Sequence, residues 1–138
     1  VAAQDARMSM AFVRVGLVPD LAALFLLPRV VGLARAKELA MLGDTIDAEH
    51  AREIGLVTDV VPAGELADRA HRLAVRLAAG PTAALALTKQ ALTASFERDL
   101  ATSLELEAQA QAVLSSSDDH REGVAAFMEK RSPVFTGS

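Results

Sequence analysis

Amphipathic helical segments separated by glycine and proline constrain this chain more than any other feature of its sequence. The clearest segment reads ELADRAHRLAVRLAAG, from residue 65 to residue 80. Its leucines recur with helical spacing and share one face, while its arginines occupy the opposite face. Gly80 and Pro81 then break the pattern, and Pro81 suits the first turn of a new helix. We therefore predict that the chain is mainly α-helical.

The composition favours closely packed helices and excludes several classes of function. Hydrophobic residues make up 51% of the 138 residues, whereas aromatic residues make up 4% and neither Trp nor Tyr occurs. Small aliphatic side chains favour helix packing over an aromatic β-sandwich. The net charge of −4 disfavours nucleic acid as the main partner, because binding phosphates requires a basic face. With no Cys, disulfides and Cys-ligated metal sites are excluded.

Capping and breaking residues predict about six helices and two short strands with no sheet of their own. In the first half we expect three helices: residues 21–27 ended by Pro28, residues 31–42 stopped by Gly43, and residues 48–54 capped by Asp47 and closed by Gly55. The strands are residues 8–15, alternatively a buried loop, and residues 56–62. In the second half we expect two helices between residues 82 and 114, divided near Arg98 and Asp99, after the helix at residues 65–80.

The last helix carries the clearest charge pattern. Ser117 suits its N-cap, and Asp118 and Asp119 lie at the positive end of the helix dipole. Lys130 and Arg131 lie at the negative end. These signals define both ends of a C-terminal helix.

The apolar runs and the first residues bear on location. The longest apolar run, Leu21–Leu27, is far too short to span a bilayer. The opening VAAQDARMSM has no initiator Met and no basic region or apolar core of a signal peptide. We expect a cytoplasmic protein without a membrane partner, and we expect the chain to be a piece cut from a larger fold.

Asp20 is a lone carboxylate between two apolar runs, directly after the turn made by Gly16 and Pro19. An unpaired carboxylate resists leaving water unless it gains partners or a proton. Asp20 could therefore be an exposed N-cap of the next helix, or a working acid at the mouth of an apolar pocket. The residues alone leave both interpretations open.

Three separated stretches resemble the enoyl-CoA hydratase/isomerase (crotonase) superfamily. They are FVRVGLVPD with LLPRVVGLARAKELAMLGDTIDAEHAREIGLVTDVVP (within 12–62), AAGPTAALALTKQAL (78–92) and SDDHREGVAAFMEKRSPVF (117–135). Together they cover nearly the whole chain, in the order of the family's C-terminal half. GLVPD and KRSPVFTG look most like the branch that includes 1,2-epoxyphenylacetyl-CoA isomerase. The resemblance implies the C-terminal part of a crotonase-like α/β fold, a spiral of ββα units followed by trimerisation helices.

Under this resemblance, residues 1–62 end the spiral core with its linking helices, and residues 63–138 form a helical region for trimerisation and CoA contact. The family binds acyl-CoA thioesters and stabilises an enolate with two backbone N–H donors, each worth roughly 3–4 kcal/mol. Both donors lie in segments that precede the equivalent of Val1. We therefore expect little or no activity from the 138-residue chain alone.

The resemblance distinguishes two reactions by their carboxylates. Hydratases of the family, which are lyases, carry an acid where this chain has Ala11 and Phe12, so one acid of hydration is missing. Isomerases use a single carboxylate at the position of Asp20. One departure is that Leu21, Ala22 and Ala23 stand where many relatives have a small residue and two glycines. Isomerisation is the first expectation, hydration the alternative, and a non-catalytic helical oligomerisation piece a further one.

The same resemblance assigns the remaining site residues and partners. Apolar residues near Asp20 would shape the acyl pocket and favour its protonated form: Phe12, Leu21, Leu24 and Phe25. Phe127 and Lys130 would contact the adenine and phosphates of CoA bound by a neighbouring subunit of a homotrimer or hexamer. Acyl-CoA is then substrate, no cofactor or metal is expected, and fatty acid metabolism or phenylacetate degradation is the implied setting. The three histidines (50, 71 and 120) are expected on solvated faces.

Overall fold

The computed structural model describes residues 1–138 and confirms a mainly helical chain. There are seven α-helices: α1 (Ala23–Val31), α2 (Leu33–Leu42), α3 (Ala48–Glu53), α4 (Leu66–Ala78), α5 (Thr82–Ala94), α6 (Leu100–Leu114) and α7 (Asp118–Glu129). Short 3-10 turns occupy Ala11–Val15, Ala63–Glu65 and Ser95–Glu97. The strands are β1 (Ala2–Ala3), β2 (Arg7–Ser9), β3 (Thr45–Asp47) and β4 (Val60–Val61).

The chain divides into two compact units, Val1–His71 and Arg72–Ser138. The division lies within α4, downstream of the boundary at residue 62 that the sequence suggested. The assignment of a spiral core to one part and a trimerisation region to the other stays a prediction.

The prediction of two strands without a sheet is wrong. In the first unit β1 pairs in parallel with β4, where Ala2 faces Val60, and β2 pairs antiparallel with β3, where Met8 faces Ile46. These strands are only two or three residues long, too short for an alternating pattern to be visible in the sequence. The predicted strand at residues 8–15 is likewise shorter, because a 3-10 turn follows from Ala11 to Val15.

The core of the first unit is a small apolar cluster between α1, α2 and the end of α3. Its buried members are Leu27, Val31, Ala36, Leu39 and Ile54. Met10 just after β2, Ile46 in β3 and Leu56 in the loop after α3 pack against its edges. The cluster therefore links α1 and α2 with the end of α3, with β3 and with the residues that directly follow β2 and α3.

Pro28 does not end α1, which continues to Val31 and corrects the predicted boundary. A proline inside a helix removes one backbone hydrogen bond and costs about 3 kcal/mol. Leu27 and Val31 flank Pro28 and are both buried in the cluster, and burial of such side chains contributes about 2 kcal/mol each. Burial on both sides of the proline thus outweighs its local cost.

The predicted stop of α2 is confirmed at Gly43, and its backbone requires glycine. Gly43 has φ +65°, and its N–H donates to the Leu39 carbonyl at 3.1 Å. A Cβ at this position would lie 3.0 Å from Cγ1 of Val13. The helix end and the 3-10 turn therefore approach too closely for a side chain. The predicted cap of α3 is also confirmed, because the Asp47 carboxylate accepts the His50 N–H at 2.8 Å.

In the second unit, α5 and α6 pack against each other. The break in the chain between the two helices falls near Arg98 and Asp99, where the sequence predicted it. The Asp99 carboxylate caps α6 by accepting the Thr102 N–H at 2.8 Å. Ser117 caps α7 as predicted, with its Oγ accepting the His120 N–H at 3.0 Å.

The segment after α7 folds back along that helix and is held by three side chains, which we call the C-terminal clamp: Asp119, Glu122 and Arg131. The buried Asp119 carboxylate accepts the backbone N–H groups of Thr136, at 2.7 Å, and Gly137, at 3.0 Å. Glu122 binds the Arg131 guanidinium through both carboxylate oxygens, at 2.6 and 2.8 Å. The last residues are therefore fixed by charged hydrogen bonds rather than by a helix or a strand.

The chain leaves many large apolar side chains exposed, and no large side chain is fully buried. None of its helices combines the length and apolar character that a membrane span requires.

The clamp predicts an acid-sensitive stability. The Arg131 guanidinium, and then the Val134 backbone N–H, lower the pKa of the Glu122 carboxyl from its ordinary 4.5 to about 2. A carboxyl with a lowered pKa stabilises the folded state fully above its ordinary pKa, and this contribution is lost as the pH falls toward the lowered value. We expect urea unfolding between about pH 6 and about pH 2 to show this loss below about pH 4.5, and Glu122→Gln to reduce the slope.

Glu107→Gln, which changes an exposed acid on α6, is the matched control. An equal reduction of the slope in both variants would contradict a specific contribution from Glu122.

Candidate active site

An apolar groove lies between α1 and α2 in the first unit. Its volume is about 170 Å³, and it is lined by Pro19, Ala23, Leu24, Leu27, Pro28, Leu33, Ala36, Lys37, Ala40 and Met41. Lys37 is the only charged residue of the lining. A groove of this character suits the hydrocarbon part of a ligand.

Asp20 begins a strained turn directly after Pro19, which lines this groove. Its carbonyl accepts the Ala23 N–H at 2.9 Å, and the two residues between them have positive φ, Leu21 at 50° and Ala22 at 62°. Positive φ at both central positions is typical of type I′ turns, which strongly favour Gly, Asn and Asp. The turn overlaps the residues at which the family resemblance implies glycines, and it adopts a backbone typical of glycine without containing one.

The interpretation of Asp20 as the N-cap of the next helix is wrong. Ala22 occupies the N-cap of α1, and no side-chain hydrogen bond caps this helix. The strained turn displaces the helix start by two residues, to Ala23, and leaves the Asp20 side chain outside it. A helix-capping role therefore does not explain this acid.

The apolar surroundings expected for Asp20 are not provided by residues 1–138. Asp20 is exposed, and its apolar neighbours Val18 and Leu21 are 71% and 92% exposed. Pro19, by contrast, is buried and lines the groove, so the carboxylate lies one residue from the groove wall. Desolvation of this carboxylate requires a ligand or atoms outside these residues.

Of the predicted acyl-pocket residues, the structure brings only Leu24 into the groove. Phe12 is half-buried in the 3-10 turn, and Leu21 points into solvent. The ring of Phe25 lies under the Arg29 guanidinium, 3.5 Å from its centroid, and Arg29 Nη1 donates to the Phe25 carbonyl at 2.9 Å. Phe25 and Arg29 therefore form a cation–π pair that does not line the groove.

The predicted CoA-contacting residues both lie at the C-terminal end of α7, in the second unit. Phe127 is 82% exposed, although an aromatic ring ordinarily gains from burial. Lys130 is exposed and forms the C-cap of α7 in the left-handed conformation, with φ 55° and ψ 38°. An exposed aromatic face and an ammonium group thus flank one helix end, which suits a ligand with an aromatic base and phosphates.

The C-terminal clamp is what sequence reasoning missed. Asp119 was interpreted only as an acid near a helix N-terminus, yet it is buried and binds two backbone N–H groups. A signal was available, because Asp119 and Glu122 are three positions apart and share a helix face. Two acids on one helix face, followed by Arg131 beyond the helix end, indicate that the segment after the helix folds back onto that face.

The histidines lie on exposed faces, as predicted. His50 Nδ1 lies 3.6 Å from Glu53 Oε2, an ordinary surface pair. No group of three or more His, Asp or Glu side chains is arranged to hold a metal ion.

The fold belongs to the crotonase-like class. The solved structure of the enoyl-CoA hydratase/isomerase from Cupriavidus metallidurans CH34 superposes on 98% of this chain with a TM-score of 0.91 and 46% identity, covering 51% of that structure. The family model described as enoyl-CoA hydratase/isomerase matches residues 1–138. The chain therefore belongs to the enoyl-CoA hydratase/isomerase family.

Two curated relatives carry different activities in their names. The 1,2-epoxyphenylacetyl-CoA isomerase of Escherichia coli (strain K12) is 48% identical over 99% of this chain and 52% of its own length. A Rhodobacter capsulatus protein named "Probable enoyl-CoA hydratase" is 44% identical over 99% of this chain and 53% of its own length. The chain spans about half the length of these relatives, so their names define the family but not one reaction.

The strained turn predicts a stabilising substitution. Leu21 has positive φ and a side chain that packs against nothing, so Leu21→Gly removes backbone strain without loss of packing. We expect this variant to raise the free energy of unfolding by about 1 kcal/mol in urea denaturation.

Ala34→Gly, at an exposed helical position of α2, is the control and should lower the same free energy by roughly 0.5–1 kcal/mol. Destabilisation by both substitutions would show that the Leu21 backbone is not strained.

Proposed function

We propose that the natural-length protein containing this chain is an acyl-CoA double-bond isomerase in which Asp20 carries the proton. The observation that carries this proposal is the position of Asp20: an exposed carboxylate on a strained turn, one residue from an apolar groove. The capping role that competed with catalysis is excluded by the Ala22 N-cap.

The chemistry requires one carboxylate within reach of two carbons. With a 3-enoyl thioester, the Asp20 carboxylate removes a proton from the carbon next to the thioester carbonyl. The electron pair delocalises into a dienolate, and the carboxyl returns the proton to the far end of the former double bond. The product is the 2-enoyl thioester, and Asp20 is regenerated as the carboxylate.

The dienolate needs donors that hold its oxygen while the proton moves. The family resemblance places both backbone N–H donors in segments before the equivalent of Val1. In this proposal, residues 1–138 supply the proton carrier and part of the apolar wall, and the donors come from elsewhere in the protein.

The nucleotide end of the substrate is assigned to Phe127 and Lys130 of a neighbouring subunit. Exposure of the Phe127 ring and of the Lys130 ammonium supports this part of the proposal. A homotrimer or hexamer follows from the same assignment, because each helix end would then serve another subunit's substrate. The apolar side chains exposed along α5 and α6 support such an assembly. We place this enzyme in the cytoplasm, in fatty acid or phenylacetate degradation.

Hydration of 2-enoyl thioesters is the second candidate, favoured by the name of the Rhodobacter capsulatus relative. Adding water across a double bond uses two carboxylates in this family. The 3-10 turn Ala11–Val15 has none, so residues 1–138 do not provide the second acid in the position where the resemblance expects it. Isomerisation, which uses one acid, is therefore the better supported reaction.

Asp20→Asn in the natural-length protein tests the proposal. We expect kcat for the conversion of a 3-enoyl-CoA to the 2-enoyl-CoA, followed by ultraviolet absorbance, to fall by at least about 100-fold, because the amide cannot accept the proton. Binding of the saturated thioester butyryl-CoA should be retained.

Asp44→Asn is the matched control, since it removes an exposed acid of the same unit that pairs only with Arg14. Undiminished isomerisation by Asp20→Asn would refute the catalytic role. Wild-type hydration without isomerisation would favour the hydratase, and failure of the wild type to bind any acyl-CoA would favour a non-catalytic oligomerisation piece.

A further inference from the structure

The end of α7 carries a lysine at a backbone position that ordinarily favours glycine. Lys130 is a C-cap in the left-handed conformation, which is unfavourable for a residue with a Cβ. Glycine adopts the same backbone freely and commonly ends helices in this way. A side chain kept on such a strained backbone indicates that the lysine side chain itself is needed at this position.

Arg131 fixes the chain on the far side of the strained lysine. Its Nη1 and Nη2 donate to the two carboxylate oxygens of Glu122, at 2.6 and 2.8 Å, and its Nε donates to Glu129 Oε2 at 2.6 Å. Its backbone N–H also donates to the Ala126 carbonyl at 3.0 Å. A planar guanidinium can make this fork of bonds, whereas a lysine ammonium cannot.

The segment beyond Arg131 is tied down as well. Glu122 Oε1 accepts the Val134 N–H at 2.8 Å, and the Asp119 N–H donates to the Ser138 carbonyl at 3.0 Å. The backbone on both sides of Lys130 is therefore held, by α7 before it and by the C-terminal clamp after it.

The same contacts control the charge around Lys130. Arg131 pairs with Glu122 and with Glu129, which is the residue directly before Lys130 in the chain. Both acids would repel an approaching phosphate if they were left unpaired. With both engaged by Arg131, the Lys130 ammonium has no ion-pair partner in the chain and is available for an anion.

We propose that Arg131, through its forked ion pair with Glu122, is a positioning residue that holds Lys130 in its left-handed backbone and keeps its ammonium available for the nucleotide phosphates of acyl-CoA. This inference rests on the proposed function, because it takes the ligand of Lys130 from it. Arg131 itself contacts the two acids, Glu122 and Glu129. The exposed Phe127 ring, three positions before Lys130, lies at the same helix end for the base.

The test compares two thioesters that differ only in the nucleotide. Dissociation constants of the natural-length protein are measured by calorimetry for butyryl-CoA and for butyryl-pantetheine, which lacks the adenosine and its phosphates. We expect Arg131→Ala to weaken butyryl-CoA about tenfold and to leave butyryl-pantetheine unchanged within about twofold. Arg131→Lys, which keeps the charge and loses the fork, should weaken butyryl-CoA in the same selective way and covers the case in which Arg131→Ala does not fold.

Lys130→Gly separates positioning from mere support of the fold. This variant removes the ammonium and relieves the backbone strain, so we expect higher stability with a selective loss of butyryl-CoA affinity. If Arg131 acts through Lys130, Arg131→Ala in the Lys130→Gly background causes little further loss. Arg121→Ala is the control, because Arg121 lies on the same helix and pairs with the exposed Asp118.

Equal losses for both thioesters, or additive losses in the double variant, would overturn the positioning role. Equal affinity of the wild type for the two thioesters would also overturn it, while isomerisation dependent on Asp20 would leave the proposed function intact. A wild type that binds neither thioester would overturn both proposals.

Discussion

Burial of Leu27 and Val31 against α2 and Ile54 is the interaction on which the first unit depends. These contacts keep α1 helical through Pro28, and a continuous α1 is what forms the wall of the groove. The same helix start fixes the turn that carries Asp20. Without this burial, nothing would offset the local cost of Pro28, and we expect α1 to end at the proline. The turn that carries Asp20 would then no longer be held by the start of α1.

That cluster is small, and the rest of the apolar surface remains uncovered. Large side chains such as Leu26, Leu33 and Leu92 are more than half exposed, and no large side chain is fully buried. Extended exposed apolar surface marks sites of interaction in soluble proteins. The chain spans about half the length of the relatives it matches. Asp20 is exposed as well, and its apolar neighbours Val18 and Leu21 are part of this uncovered surface.

Apart from Asp20, where Ala22 takes the N-cap of α1, local capping was readable from the sequence. Features that depend on distant contacts were not. Asp47, Ser117 and Gly43 end or begin helices as predicted, because each acts within one helical turn. The helix through Pro28 depends on a cluster assembled from three helices, so the local rule failed there. For the site, the resemblance proposes Asp20, Phe127 and Lys130, and their roles stay predictions. Of the predicted wall residues only Leu24 lines the groove, and the clamp depends on contacts between α7 and the last residues of the chain.

Backbone strain is a feature that both candidate sites share. The chain has three residues other than glycine with positive φ, namely Leu21, Ala22 and Lys130, and all three lie at the places where chemistry is proposed. At the first site the strained turn follows the carboxylate and separates it from the start of α1, so that its charge is not used in capping. At the second site the strained residue, Lys130, is itself charged. The nearby acids Glu122 and Glu129 are both paired with Arg131. In both cases a backbone with positive φ lies at or beside a charged side chain that is not used to cap a helix through a side-chain hydrogen bond. A proton carrier and a residue that binds phosphate both require a charged group that is free in this way.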